Sequence, residues 1–231
     1  APPRALEAPA ALGFREALEG RPSSAGVTTA GPAVTLSIGT DEMRLLLADN
    51  TDLIDGLLRT LVARDLTPVE APVIVSGRAG DAVAPGLTPV QKVLVLQSLP
   101  LFAHASGDEM IHVAGVAREA RVAAGETLAA AGDPPAIFFV LSGEIALEAT
   151  GAPGEPGGAA GPMVAGPGDA VGVHETLAGV AFGRTVRAAR DGLALRLDRA
   201  DLLDLLGQRP ALLQQVFRAL FDLLPAAAAA A

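Results

Sequence analysis

A chain of 231 residues, half of them apolar, is long enough for one to two domains and a sizeable core. It has only 3% aromatic residues and no Trp, Tyr or Cys, so the core is built from Ala, Val, Leu and Ile, and disulfides, cysteine zinc sites and thiol nucleophiles are excluded. A formal charge of −9, with 17 basic against 26 acidic residues and no basic run, opposes nucleic-acid binding, which needs clustered Lys and Arg.

Residues 1–12 are rich in Ala and Pro. Val34-Thr35-Leu36-Ser37-Ile38 alternates with period two and predicts a half-buried strand. Thr40 or Asp41 then caps a helix with Met43, Leu46 and Leu47 on its apolar stripe. After a break at Asn50 to Asp52, Leu53 to Val62 predicts a second amphipathic helix. Residues 65–89 carry repeated Pro and Gly and read as a linker with one short strand near Val73-Ile74-Val75.

An amphipathic helix is expected over 90–99, with Val93, Leu94, Leu96 and Leu99 inward. Ser106 followed by Glu109 is a capping-box signature for another. From Arg118 onward the pattern becomes short strands separated by glycine turns. Ile137 to Leu141 reads as a buried strand, Ser142-Gly143 as a tight turn, and Glu144 to Ala149 as the returning strand. Gly151 to Gly161 reads as a hairpin loop. Leu193 to Leu197 is another strand, and Arg199 to Leu224 two more helices. Residues 225–231, Pro225 apart, are alanines.

One passage occurs twice. Gly13-Phe14-Arg15-Glu16-Ala17-Leu18-Glu19-Gly20 aligns with Gly172-Val173-His174-Glu175-Thr176-Leu177-Ala178-Gly179, and an offset of 159 residues continues without a gap. Val34, Leu36 and Ile38 fall on Leu193, Leu195 and Leu197, and Leu46 and Leu47 on Leu205 and Leu206. A turn, a strand alternation and a helix stripe held in one register mark a repeat. Residues 1–64 therefore read as the C-terminal part of a first unit, 65–89 as a linker, 90–224 as a complete second unit and 225–231 as a tail. The first unit is expected to dock on the second, or to be completed by strands from a larger protein.

The ordered set Leu99-Pro100-Leu101-Phe102, Gly125-Glu126, Ala131-Gly132-Asp133, Val140-Leu141-Ser142-Gly143-Glu144, Gly166-Pro167-Gly168-Asp169 and Leu195-Arg196-Leu197-Asp198-Arg199 resembles the cyclic-nucleotide-binding domain family. The resemblance implies a mainly β fold with flanking α-helices: an eight-stranded, jelly-roll-like β-roll with N- and C-terminal helices. It also implies a phosphate-binding cassette that reads Gly-Glu-x-Ala-Leu and then Pro-Arg-Ala-Ala-Thr-Val. In that register Gly172, Thr185 and Val186 match, Val173 stands at the Glu position, and Phe182 at the Arg position. The first unit has Phe14 and Ser23 there. The candidate ligand-binding residues are Gly172, Val173, His174, Glu175, Arg184, Thr185 and Val186. Glu175 and Arg184 each lie two positions after the missing charge.

Nothing pairs a nucleophile with a base, and His104, His112 and His174 are too scattered for a metal site. The expected function is a non-catalytic regulatory or interaction module without cofactor, part of a larger protein and not binding cyclic AMP in the usual way. The alternative is a sensor for cyclic AMP, cyclic GMP or another small anion that regulates an attached transporter, channel or signalling protein. The expected partners are other domains of a parent protein, a separate protein or a second copy. Neither nucleic acid nor direct membrane contact is expected, because no apolar stretch reaches the roughly 18 residues of a span. A cysteine-free chain without a signal segment is expected in the cytoplasm.

Overall fold

The computed structural model describes residues 5, 7, 10–23, 25–48, 50–65, 74–76, 86–149 and 163–223. The expected loop at 151–161, the alanine tail and most of the linker lie outside them.

Three helices come first: α1 (Phe14–Glu19), α2 (Thr40–Ala48) and α3 (Thr51–Asp65). Asn50 starts α3 by accepting from the Leu53 amide at 3.1 Å, which satisfies one orphan donor of the first turn. Next come strand β1 (Ile74–Ser76), α4 (Pro89–Leu96), a 3₁₀ turn at Pro100–Phe102 and α5 (Gly107–Val116). Thr88 and Gln91 form a capping box at α4. Ser106 Oγ caps α5 by accepting from the Glu109 amide at 3.3 Å. Leu94 faces solvent, not the core as the helical stripe suggested.

The roll follows: β2 (Arg118–Val122), β3 (Thr127–Ala129), β4 (Ala136–Ala149), β5 (Met163–Ala165), β6 (Asp169–Val171), α6 (Val173–Ala178) and β7 (Arg184–Asp198). Helices α7 (Arg199–Gln208) and α8 (Pro210–Leu223) close the described chain. The seven strands among the described residues form one antiparallel sheet in the order β1-β6-β4-β7-β2, with β3 on β7 and β5 on β4. The expected count was eight. Two expected strands, 137–141 and 144–149, are one continuous strand β4, whose register against β7 shifts across Val140 to Ile145. Ser142-Gly143 is thus a β-bulge in a long, bent strand, not a hairpin turn. The short strand expected within the linker forms as β1, which pairs Ile74 with Val171 and Ser76 with Asp169.

Three turns of the roll share one device. Gly125, Gly132 and Gly168 take φ of 84°, 94° and 92°, a region that favours glycine because it has no Cβ. The acid after each accepts from a backbone amide three residues earlier: Glu126 from Ala123 and Asp133 from Ala130, and Asp169 from Gly166. These Gly-acid pairs therefore hold turns.

Strand β4 explains the layering. Its continuous apolar run is buried on both faces, as an inner strand requires. Phe138 and Val140 face the interior of the roll with Ile145, Leu147, Val171 and Val186. Ile137, Phe139 and Leu141 face the helical layer with Met110, Leu195, Leu205 and Phe217.

The N-terminal helices dock on that layer: Leu18, Leu47, Ile54, Leu58 and Val62 share its core. Helices α1, α2 and α3 begin 159 residues before α6, α7 and α8 respectively. The packing is reciprocal, α3 lying on α6 and α7, and α8 on α1 and α2. The strand predicted at Val34 to Ile38 is absent. That segment is irregular and exposed, because no neighbouring strand offers its backbone a partner.

Candidate functional site

Helix α6 is a single short segment bracketed by two glycines in the left-handed region, Gly172 at φ 84° and Gly179 at φ 64°. Gly172 is required by its surroundings as well as by its φ. A Cβ there would collide with the carbonyl of Ala136 and lie 3.0 Å from the Phe182 ring. Helix α1 has the same construction, between Gly13 at φ 71° and Gly20 at φ 65°.

The expected site residues are divided between two sides of the sheet. Val186, opposite Leu147 on β4, fills the roll interior. Val173 is buried on the helical side with Leu177 and Ala178. Thr185 is half-buried opposite Glu148. His174, Glu175 and Arg184 are half-buried. His174 Nε2, Glu175 Oε2, Thr176 Oγ1 and Arg184 Nη1 are each shielded from solvent with no hydrogen-bond partner among the described residues. Arg184 has the same strand parity as Val186, two residues on, because side chains alternate faces along a strand.

The centre of the roll is occupied by Phe182, only 3% exposed. Its ring lies 6.2 Å from Phe138, tilted by 37°, a favourable aromatic arrangement. Its backbone is clamped by two bonds, with Gly132 N donating to Phe182 O at 2.8 Å and Phe182 N donating to Asp133 O at 3.2 Å. Phe182 is the residue that the resemblance set at the expected Arg position. Its contact with Phe138, distant in sequence, carried no sequence signal.

The outer side of α6 carries a charge cluster that spacing could not reveal. Asp55 on α3 pairs with Arg59 at 2.9 Å and with Arg199 on α7. Arg199 Nε also donates to the Thr176 carbonyl at 2.8 Å, at the C-terminal end of α6, where a cation satisfies the end of the helix. Reciprocally, Arg218 on α8 donates to the Glu19 carbonyl of α1 at 3.1 Å. Burial opposes ionisation of Asp55, but Arg59 and Arg199 outweigh it and hold its carboxyl below the usual carboxylate range. A folded pKa below the unfolded one means that Asp55 stabilises the fold above the unfolded value of about 3.9. That contribution is lost as pH falls through the folded pKa. Asp55→Asn is expected to cost about 1.5–3 kcal/mol at pH 7, the range for hydrogen bonds between charged groups. The difference between variant and parent in urea unfolding is expected to shrink below pH 4. A constant difference from pH 7 to 3 would contradict this assignment.

Residues 119–209 match the family model of the cyclic nucleotide-binding domain. The β-roll of this chain is that of a cyclic nucleotide-binding domain, with helices on both flanks. Among solved structures, the N-terminal domain of a transcriptional regulator from Streptomyces coelicolor A3(2) is 27% identical, with a TM-score of 0.49 over 55% of this chain and 90% of that one. The Thermus thermophilus catabolite activator protein is 26% identical, with a TM-score of 0.43 over 53% of this chain and 56% of that one. A cyclic nucleotide-binding-like protein from Brucella abortus is 19% identical, with a TM-score of 0.42 over 50% and 97%. No curated protein matches the chain. No helix among the described residues is long and apolar enough to cross a membrane.

Proposed function

We propose that this chain is a non-catalytic regulatory or interaction module of the cyclic nucleotide-binding fold whose roll does not take a cyclic nucleotide in the usual way. The observation that carries this reading is Phe182, buried against Phe138 at the register position of the phosphate-pairing Arg. A ring there supplies no charge to an anion, and it fills the space in which a phosphate would sit. Val173, at the position of the ribose-binding Glu, is turned to the helical core and supplies no acceptor. On this reading residues 1–64 are the C-terminal part of a second such unit, docked through α1 to α3. The partner is another domain of a parent protein or a separate protein.

A second reading, a sensor of a small anion, rests on Arg184 Nη1, a shielded donor without a partner at the edge of the roll. Thermal melts separate the two. With 1 mM cyclic AMP, cyclic GMP or inorganic phosphate, the first reading expects an unchanged Tm. Saturation at one hundred times Kd would add about 2.7 kcal/mol, roughly 5–11 °C for a domain of this size. A shift of that size with any of the three overturns the first reading. Its disappearance in Arg184→Gln would establish the second.

A further inference from the structure

Corresponding faces of the two repeated segments are treated oppositely. Leu193, Leu195, Leu197 and Leu205 are 2%, 1%, 3% and 8% exposed, whereas Val34, Leu36, Ile38 and Leu46 at the 159-residue offset are 98%, 100%, 56% and 49% exposed. What covers the first set is known. Leu193, Leu195 and Leu197 pair through their backbones with Ser142, Phe139 and Ile137 of β4, and β2 flanks Leu193 and Leu195 on the other side. Helix α5 lies on α7, with Met110 and Val113 in the same core as Leu205 and Glu109 3.6 Å from Arg209. On the N-terminal segment the corresponding surface is an open groove between residues 37–39 and α2, lined by Ile38, Gly39, Glu42, Leu45, Leu46 and Asn50. Helix α2, which forms one wall of it, also packs on α7 and α8. Exposed Ile38, Leu45 and Leu46 on this groove, with exposed Val34 and Leu36 just before it in the chain, exceed the scattered exposure of an ordinary surface.

We infer that this groove, with the extended segment 33–38, is the docking surface for the front half of another β-roll. The occupant is a polypeptide that supplies an apolar helix like α5 to Leu46 and a strand like β4 to the backbone of Val34 to Ile38. The assignment rests on the repeat reading given under Proposed function. It goes further by naming the surface, the register and the chemistry of the occupant: an amphipathic helix followed by a strand. A second intact copy of this chain does not fit, since its own α5 and β4 are already engaged by α7 and β7.

The test keeps the full chain and fuses a second copy of residues 86–159 ahead of residue 1, which reproduces the 159-residue register. Amide hydrogen exchange is followed at residues 33–38 in the parent and in the fusion. Those amides are expected to exchange at near-unprotected rates in the parent, at any protein concentration, and about 100-fold or more slowly in the fusion. Leu46→Asp in the fusion is expected to abolish that protection while leaving α6 to α8 protected. Fast exchange at 33–38 in the fusion overturns the inference, as does protection that survives Leu46→Asp. Protection that grows with concentration in the unextended parent also overturns it, by assigning the groove to a second copy. Failure of the underlying repeat reading looks different: α1 and α3 would then exchange as freely as 33–38 in the parent.

Discussion

Phe182→Ala is expected to lower the melting temperature of the chain by roughly 6–20 °C. Truncating a fully buried Phe costs about 3–5 kcal/mol, because the transfer free energy of the ring is lost and a cavity remains. Each kcal/mol moves Tm by about 2–4 °C at this size. The value should lie toward the upper end, since the ring packs against Phe138 and Gly172 and its backbone is held by Gly132 and Asp133. None of these is the free end of a long side chain that could swing in to refill the space. Phe14 supplies the control. It is 37% exposed, and Phe14→Ala is expected to stay within about 1 kcal/mol of the parent. Calorimetry of the two variants compares them directly. Similar losses would mean that Phe182 does not plug the roll.

Gly172→Ala is the second large effect. The substitution adds one methyl group but meets two separate obstacles. A non-glycine residue in the left-handed region costs about 1–2 kcal/mol. The new Cβ must also displace either the Ala136 carbonyl, which belongs to strand β4, or the Phe182 ring. Overpacking of this kind costs about 1–3 kcal/mol. The sum of about 2–5 kcal/mol corresponds to a Tm lower by roughly 4–20 °C. Gly13→Ala shares the positive φ, but its Cβ would meet nothing within 4 Å, so it should show only the conformational part. Equal losses at the two positions would remove the packing explanation and leave backbone strain alone.

These paired positions show what the amino-acid order made legible. The register of the repeat was readable because glycines with positive φ and helical apolar stripes are local requirements, met within a few residues of one another. Gly13 and Gly172 each precede a short helix, and three helix pairs start at one common offset. The alternation at Val34 to Ile38 was equally clear, yet no strand forms there. Alternation reports a face suited to burial, whereas a strand also needs a partner edge, and that lies elsewhere in the chain or outside it. Ser142-Gly143 was misread for a related reason. A Gly between apolar runs signals a turn and a bulge alike, and the choice was made by β7, where Gly143 faces Gly192 so closely that neither has room for a side chain. The Asp55–Arg199 pair spans 144 residues, and no spacing rule connects residues that meet only after two units have docked. The candidate site was legible as a set of departures from a family register. The packing of Phe182 on Phe138 was visible only in three dimensions.

The reciprocal packing of α3 on α6 and α8 on α1 frees the two halves from a constraint that binds true homodimers. When two identical chains meet about a two-fold axis, each substitution appears on both sides at once, so a favourable change at one end cannot be separated from its copy at the other. Here the two halves are separate stretches of one chain and can drift apart. Asp55 corresponds to Gln214 and Arg199 to Thr40, so this half-buried ion pair exists at one end of the pseudo-axis only. Glu19, itself buried and paired with the more exposed Arg15 and Arg21 at the other end, corresponds to Ala178. The two ends thus differ in chemistry on a common frame, and a single substitution can loosen one end while the other holds.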